Sequence, residues 1–289
     1  MKKFLVLNLC LAAAISLTAQ SFTPGIKLKK GQQFEVLTTV NGNMQQAMME
    51  MPIESSMKST VAVLNKGAEG YVVVAENKHF AFKTSMMGQD ANYDSDKKED
   101  GDGQLGDVFK DITGKPDSFM VDNNGYAKSK SPEKPAVKKE DDKNGMMGMM
   151  LKGIVGTGGT GSPIFNALPW FKELKVGESI ADSVENNTDG KEKATTTYTL
   201  TEIKDGKVKL AINGITNIEK TMDVQQMGMN MTVSVKSTNT SKGEMIIDQA
   251  TGLMISKTVT TETDGSASVS GMDIPITGSS TAVITVKTL

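Results

Sequence analysis

Few side chains in this sequence are equipped for chemistry, and they are scattered. His79 is the sole histidine. Nucleophilic triads and most zinc sites need an imidazole with partners that share its task. His79 stands between Lys78 and Phe80 in a strand-like run, which reads as a surface or edge position. Four carboxylates follow, Asp94, Asp96, Asp100 and Asp102. Calcium takes several hard oxygens on a tight loop. An EF-hand begun at Asp100 would put Leu105 at its glycine position and Asp111 at its closing glutamate, so a solvated charged loop is expected instead. Residues 156–161 read GTGGTG and match G-x-G-x-x-G literally. That motif needs a strand before it and a helix after it to present backbone N–H groups to a pyrophosphate. Here Ser162-Pro163 follows among hairpin-like segments, so a flexible linker is expected. No metal site, cofactor or catalytic residue is assigned, and the protein is expected not to be an enzyme.

Methionine is the surplus residue, with 20 in the chain. The clusters are Met44, Met48, Met49 and Met51; Met86 and Met87; Met146, Met147, Met149 and Met150; and Met227, Met229 and Met231. A thioether is a flexible apolar filler that suits adaptable binding surfaces, and it is also a soft ligand for Cu(I). Met227, Met229, Met231, Val233 and Val235 recur at every second residue, the spacing of one strand face. Met87, Met227, Met229 and Met231 are therefore the candidate ligand-binding residues, as the wall of an apolar cavity. Core filling and copper binding stay open beside that.

Composition narrows the function classes. All 32 basic residues are lysine. Arginine is the usual residue for bidentate recognition of phosphate, carboxylate and base edges, so nucleic acid is not an expected partner. Formal charge is −2. Without Lys2 and Lys3, 30 lysines would face 34 acids, a mild acidic excess. Aromatic content of 5% weakens a sugar-binding reading, which needs stacking platforms.

Residues 1–19 read as a signal peptide: Lys2 and Lys3, an apolar run from Phe4 to Leu17, then Thr18-Ala19. Export to the periplasm or the extracellular space is expected. Cys10, the sole cysteine, lies inside that segment behind Asn8 and Leu9, which is not a lipid-attachment context. No later apolar run approaches roughly 18 residues, so no integral membrane segment is expected in the mature chain.

The elements that must carry these residues are strands. Valine-, threonine- and isoleucine-rich runs alternate with turn residues. Asn41-Gly42 and Asp189-Gly190 read as hairpin turns, and Met222 to Lys236 reads as one long strand. Leu105 to Asp111 reads as a short helix. Two stretches organise the chain: Gly243 to Lys257, GEMIIDQATGLMISK, and Ser118 to Lys130, SFMVDNNGYAKSK. Each reads as two strands around a turn, where Asp bonds local backbone and Gly accepts positive φ. Leu28 to Gly31 (LKKG) is echoed by Leu174 to Gly177 (LKVG), in the same order. Self-similarity in fixed order marks an internal duplication. The expected fold is mainly β, with two related antiparallel curved sheets or incomplete β-barrels and little helix. The expected organisation is a signal at 1–19, a β-rich half at 20–130, a low-complexity linker at 131–163 and a second half at 164–289.

Leu168-Pro169, Val176-Gly177-Glu178, and Gly243 with Asp248 and Thr251-Gly252-Leu253 resemble the junction and closing hairpin of a family of secreted bacterial proteins of unknown function. The layout is also similar to the open β-barrels of periplasmic lipoprotein carriers. The first resemblance brings no activity, and the second is one of fold. The expected function is binding or carriage of an apolar small molecule or lipid in the cell envelope. The alternatives are a structural module that binds an envelope protein, or a methionine-rich copper-binding protein.

Overall fold

A computed structural model describes residues 20–46, 49–86, 89–102, 104–109, 112–123, 125, 127–129, 163–165, 173–187, 190–226, 229–269 and 271–289. The expected mainly β architecture is what it shows. Fourteen strands follow in order: β1 (Ser21–Phe22), β2 (Gln33–Gln46), β3 (Met49–Gly67), β4 (Gly70–Met86), β5 (Gln89–Asp94), β6 (Asp117–Asp122), β7 (Ala127–Ser129), β8 (Leu174–Lys175), β9 (Ser179–Asn186), β10 (Lys191–Lys204), β11 (Lys207–Gln226), β12 (Met229–Asp248), β13 (Met254–Val269) and β14 (Met272–Thr288). Among the described residues a short α-helix, here α1 (Gln104–Phe109), follows a 3-10 turn at Lys98–Asp102.

Twelve strands form one antiparallel sheet in the order β7-β6-β4-β3-β2-β14-β13-β12-β11-β10-β9, with β5 on the free edge of β4. The sheet is curved and does not close. Its two halves meet where the last strand lies beside the first long one: Val286 faces Val36 and Ala282 faces Val40. The remaining pair, β1 with β8, forms a two-stranded sheet.

The strand period of two sorts side chains into an inner and an outer face. Along β14, Ile276, Gly278 and Ser280 are half-buried while Thr277 and Ser279 are exposed. Along β13, Thr261 and Thr263 are half-buried while Glu262 and Asp264 are exposed. At one end this inner face is a packed core. Phe34, Val36, Val61, Val63, Tyr71 and Val73 meet Leu200, Val208, Leu210, Met245 and Ile247 there. Phe22, Leu28, Phe165 and Leu174 plug that end. A second cluster lies farther along β3, β4 and β5, where α1 lays Leu105, Val108 and Phe109 over Ile53, Phe80, Phe82 and Tyr93.

The two stretches singled out in the sequence have one task. In the β12–β13 turn, Asp248 Oδ1 accepts from the Thr251 backbone N–H at 2.8 Å and the Thr251 hydroxyl at 2.6 Å. The Gly252 N–H donates to Asp248 O at 2.8 Å, and Gly252 has φ +71°. Thr251 O then accepts from the Lys27 N–H at 2.8 Å. In the β6–β7 turn, Asn123 O accepts from the Ile26 N–H at 3.2 Å. Both hairpins thus grip the same N-terminal segment.

The LKKG and LKVG segments are bonded alike. Gly31 N–H donates to Val63 O at 2.8 Å, and Gly177 N–H donates to Leu200 O at 2.7 Å. Lys29 N–H donates to Gln32 Oε1 at 3.1 Å, and Lys175 N–H to Glu178 Oε2 at 2.9 Å. Each contact is followed by a register shift, at Val63/Asn65 in β3 and at Leu200/Glu202 in β10. One difference stands out. β12 pairs with β11 over its whole length, whereas β4 is met by β5 at residues 81–86 and by β6 at residues 70–75. Segment 95–116 lies between those two strands.

Two sequence expectations are corrected. Asn41-Gly42 is not a turn but lies inside β2, opposite Glu54 and Ile53. A Cβ on Gly42 would stand 2.7 Å from Ser280 Cβ, so the glycine permits close strand approach and not a reversal. Met222 to Lys236 is not one strand: β11 ends at Gln226 and β12 begins at Met229. The expected short helix is present as α1. The 131–163 segment, apart from Pro163, and the 156–161 glycine run lie outside the described residues.

Candidate functional site

Of the four candidate methionines, Met87 and Met227 lie outside the described residues. Met229 and Met231 belong to β12, opposite Gln226 and Val224. Among the other described methionines, Met51, Met245 and Met254 are buried, Met44 and Met57 pack against the α1 cluster, and Met272 is exposed.

The register places a more informative row across the inner face. Leu200, Leu210, Met245, Lys257, Ile284, Thr38 and Met57 stand side by side on β10, β11, β12, β13, β14, β2 and β3. Lys257 is half-buried at the edge of the packed core. Its neighbours in the row, Met245 and Ile284, are apolar, as is Val259 on its own strand. Burial holds its ammonium below the ordinary lysine value, and no charge offsets that. Among the described residues no carboxylate pairs with it. Two positions along the row, Thr38 Oγ1 is buried and has no hydrogen-bond partner among the described residues. A second orphan, Asn239 Oδ1, lies farther out on the inner face of β12. Buried polar atoms are nearly always bonded, so three unmatched groups on one face call for an explanation.

Beyond Lys257 the inner face is lined by small side chains. Gly243, Val259, Ala282 and Val40 form the next row, and Ser241, Thr261, Ser280 and Gly42 the one after. These two rows make a strip of mostly small side chains along the inner face. It runs outward from a core edge marked by one cation and one hydroxyl.

A second constellation occupies the opposite face. His79 is paired with Lys58 and Asp94 with Ala81, which sets both on the outer face, away from Phe80, Phe82 and Tyr93. His79 Nε2 is 2.9 Å from Asp94 Oδ1 and 3.9 Å from Asp96 Oδ2. Asp94 Oδ1 also accepts the Asp96 N–H at 3.0 Å. That backbone bond, then the one to His79, holds the Asp94 carboxyl below its ordinary range. The residues 95–114 bond the stretch of β4 that neither β5 nor β6 reaches. Ser95 N–H donates to Phe80 O at 2.9 Å, Phe80 N–H to Ser95 Oγ at 3.0 Å, and Gly114 N–H to Asn77 O at 3.0 Å. Sequence reasoning had His79 and the aspartates in hand but treated them apart. The missing signal was the β4–β5 register, which brings residues 15 apart into contact.

Comparison with known proteins adds a family over part of the chain. Residues 162–254 match the model of a family of unknown function (DUF6263). That span holds β8 to β12, the LKVG turn and the Asp248–Gly252 hairpin turn. No curated protein matches the sequence. Among solved structures, a lipovitellin described for its lipid–protein interactions is similar at 12% identity and TM-score 0.47 over 90% of this chain. The chain spans only 25% of that protein's length. OccK7 (OpdD) from Pseudomonas aeruginosa is similar at 9% identity and TM-score 0.24, with 91% of this chain and 100% of that one covered. An outer membrane channel from Pseudomonas putida F1 gives 5% identity and TM-score 0.23, with 91% and 97% covered. These TM-scores are too low to carry a functional argument. Among the described residues no helix is long and apolar enough to cross a membrane.

Proposed function

We propose that this is an exported, non-catalytic binding protein that holds an amphiphile with an anionic head group on the inner face of its sheet. The observation that carries the reading is Lys257, a half-buried cation on an apolar face with no carboxylate beside it among the described residues. An isolated charge in such a place costs stability unless something pairs with it. A carboxylate or phosphate head group would supply that pair, and the orphaned Thr38 hydroxyl two strands away could donate to the same oxygens. The acyl chain would run outward along Val259, Ala282 and Val40, over the small residues beyond them. Met87, Met227, Met229 and Met231 are kept as proposed contacts of the ligand. We also propose that the two halves arose by duplication, supported by the like-bonded LKKG and LKVG segments and their matching register shifts.

The test is binding of palmitate, followed by displacement of a fluorescent fatty acid, with hexadecanol as the uncharged control. Palmitate should bind more tightly than hexadecanol, and Lys257→Met should erase the difference. A protein that binds neither, or binds both alike with Lys257 intact, refutes the reading. N-terminal sequencing of the protein from its host's envelope should begin at Gln20.

A further inference from the structure

We infer that His79, Asp94 and Asp96 form a site for a divalent transition-metal ion, with zinc the best fit. The inference is independent of the proposed binding face, because the cluster lies on the other face of the sheet. One ligand atom from each residue falls within 4.8 Å of the other two. Around a tetrahedral zinc ion bonded at about 2.0–2.2 Å, neighbouring ligand atoms stand roughly 3.3–3.6 Å apart. The spacings of 2.9 and 3.9 Å from His79 Nε2 bracket that range, so rotation of the exposed Asp96 side chain would complete the set. An imidazole nitrogen with two carboxylates favours zinc or a neighbouring transition ion over calcium or magnesium, which take oxygen ligands. Three protein ligands leave a fourth position for water.

Rigid elements hold the ligands. His79 is in β4, Asp94 closes β5, and their neighbours Phe80 and Tyr93 are fixed in the aromatic cluster around Phe109. The Asp94 N–H donates to Asp100 Oδ2 at 2.9 Å, and the Lys97 N–H to Asp94 O at 3.0 Å, which fixes the loop. The location is a second argument. The cluster sits where segment 95–116 divides the strands facing β4, while β11 in the other half faces one unbroken strand. Insertions into a repeated unit fall in loops that often carry binding.

The experiment uses untagged, chelator-stripped protein, titrated calorimetrically with zinc and then with calcium. Because the chain has one histidine, its imidazole NMR signals report this site alone. One equivalent of zinc should bind and move those signals, and calcium should not. His79→Gln and, separately, Asp96→Asn should each weaken zinc binding at least tenfold. Asp96 is the most exposed of the three, so its variant should keep the wild-type circular dichroism. Zinc that binds both variants as tightly as the wild type, or that leaves the imidazole signals in place, overturns the inference.

Discussion

Substituting Gly252 by alanine probes the grip that both hairpins have on the N-terminal segment. Gly252 has φ +71°, and a Cβ there would stand 1.9 Å from Gly25 O and 2.8 Å from Gly25 C. Gly206, in the β10–β11 turn, has nearly the same φ of +72° but nothing within 4 Å of its Cβ position. Left-handed backbone costs alanine about 1 kcal/mol at either site. Only Gly252→Ala must also push a backbone carbonyl aside. Moving Gly25 strains the bonds from Lys27 N–H to Thr251 O and from Ile26 N–H to Asn123 O, and that from the Tyr71 hydroxyl to Ile26 O. At about 1 kcal/mol for each bond broken, Gly252→Ala should lose up to about 3 kcal/mol more than Gly206→Ala. Urea denaturation of the two variants and the wild type measures the gap, with unchanged slopes confirming that stability alone has moved. Equal midpoints for the two variants would refute the docking, because the shared φ term would then account for everything.

Lys257→Met should stabilise the unliganded protein at neutral pH. The folded-state pKa of Lys257 lies below its ordinary value of 10.5, so the charged form opposes folding. The penalty is full below the folded pKa and disappears as pH rises to the ordinary value, so melts at pH 7 and near pH 10.5 should show the variant's advantage shrinking. Phe109→Ala should cost about 3–5 kcal/mol in urea denaturation, since the ring is fully buried and meets Phe80, Phe82 and Tyr93 at centroid distances of 5.1 to 5.5 Å. The same variant should hasten hydrogen exchange in residues 95–114 and leave the core strands β10 and β11 protected.

Strand character was legible because it depends on residue type and period, which the sequence carries. Thr261 to Asp264 and Asp273 to Ser280 alternate as a half-buried strand should. Strand ends were less legible where a glycine served packing and not reversal. Gly42 belongs to a close approach between β2 and β14, strands at opposite ends of the chain, so no local pattern could announce it. The β11–β12 reversal lacked the usual Asn-Gly or Asp-Gly signal, and the run of Met and Val on both sides read as continuous. For the cluster of His79, Asp94 and Asp96 the needed information was the β4–β5 register. The ladder ends with Ala81 opposite Asp94, which brings the Asp94 carboxylate to 2.9 Å from His79 Nε2. Lys257 was visible in principle, because it falls on the same strand parity as Val259. A lysine on an apolar parity is a local conflict, but only the curvature of the sheet shows that this face is the covered one.

That conflict is the strongest argument for a bound partner. Local propensity, periodicity and turn chemistry agree along most of this chain, and the departures are few. Three of them, the unpaired Lys257 ammonium, the orphaned Thr38 hydroxyl and the orphaned Asn239 carbonyl, fall on one face of one sheet. Each costs stability in the unliganded protein, and a larger apolar side chain at Lys257 would remove one cost without disturbing the register. Strain of this kind is expected where a site awaits a ligand, since the ligand repairs it. A face kept for packing alone would have no use for a half-buried cation. An anionic amphiphile would satisfy the cation at its head and the apolar strip with its chain, so the gain from repairing the defect becomes affinity.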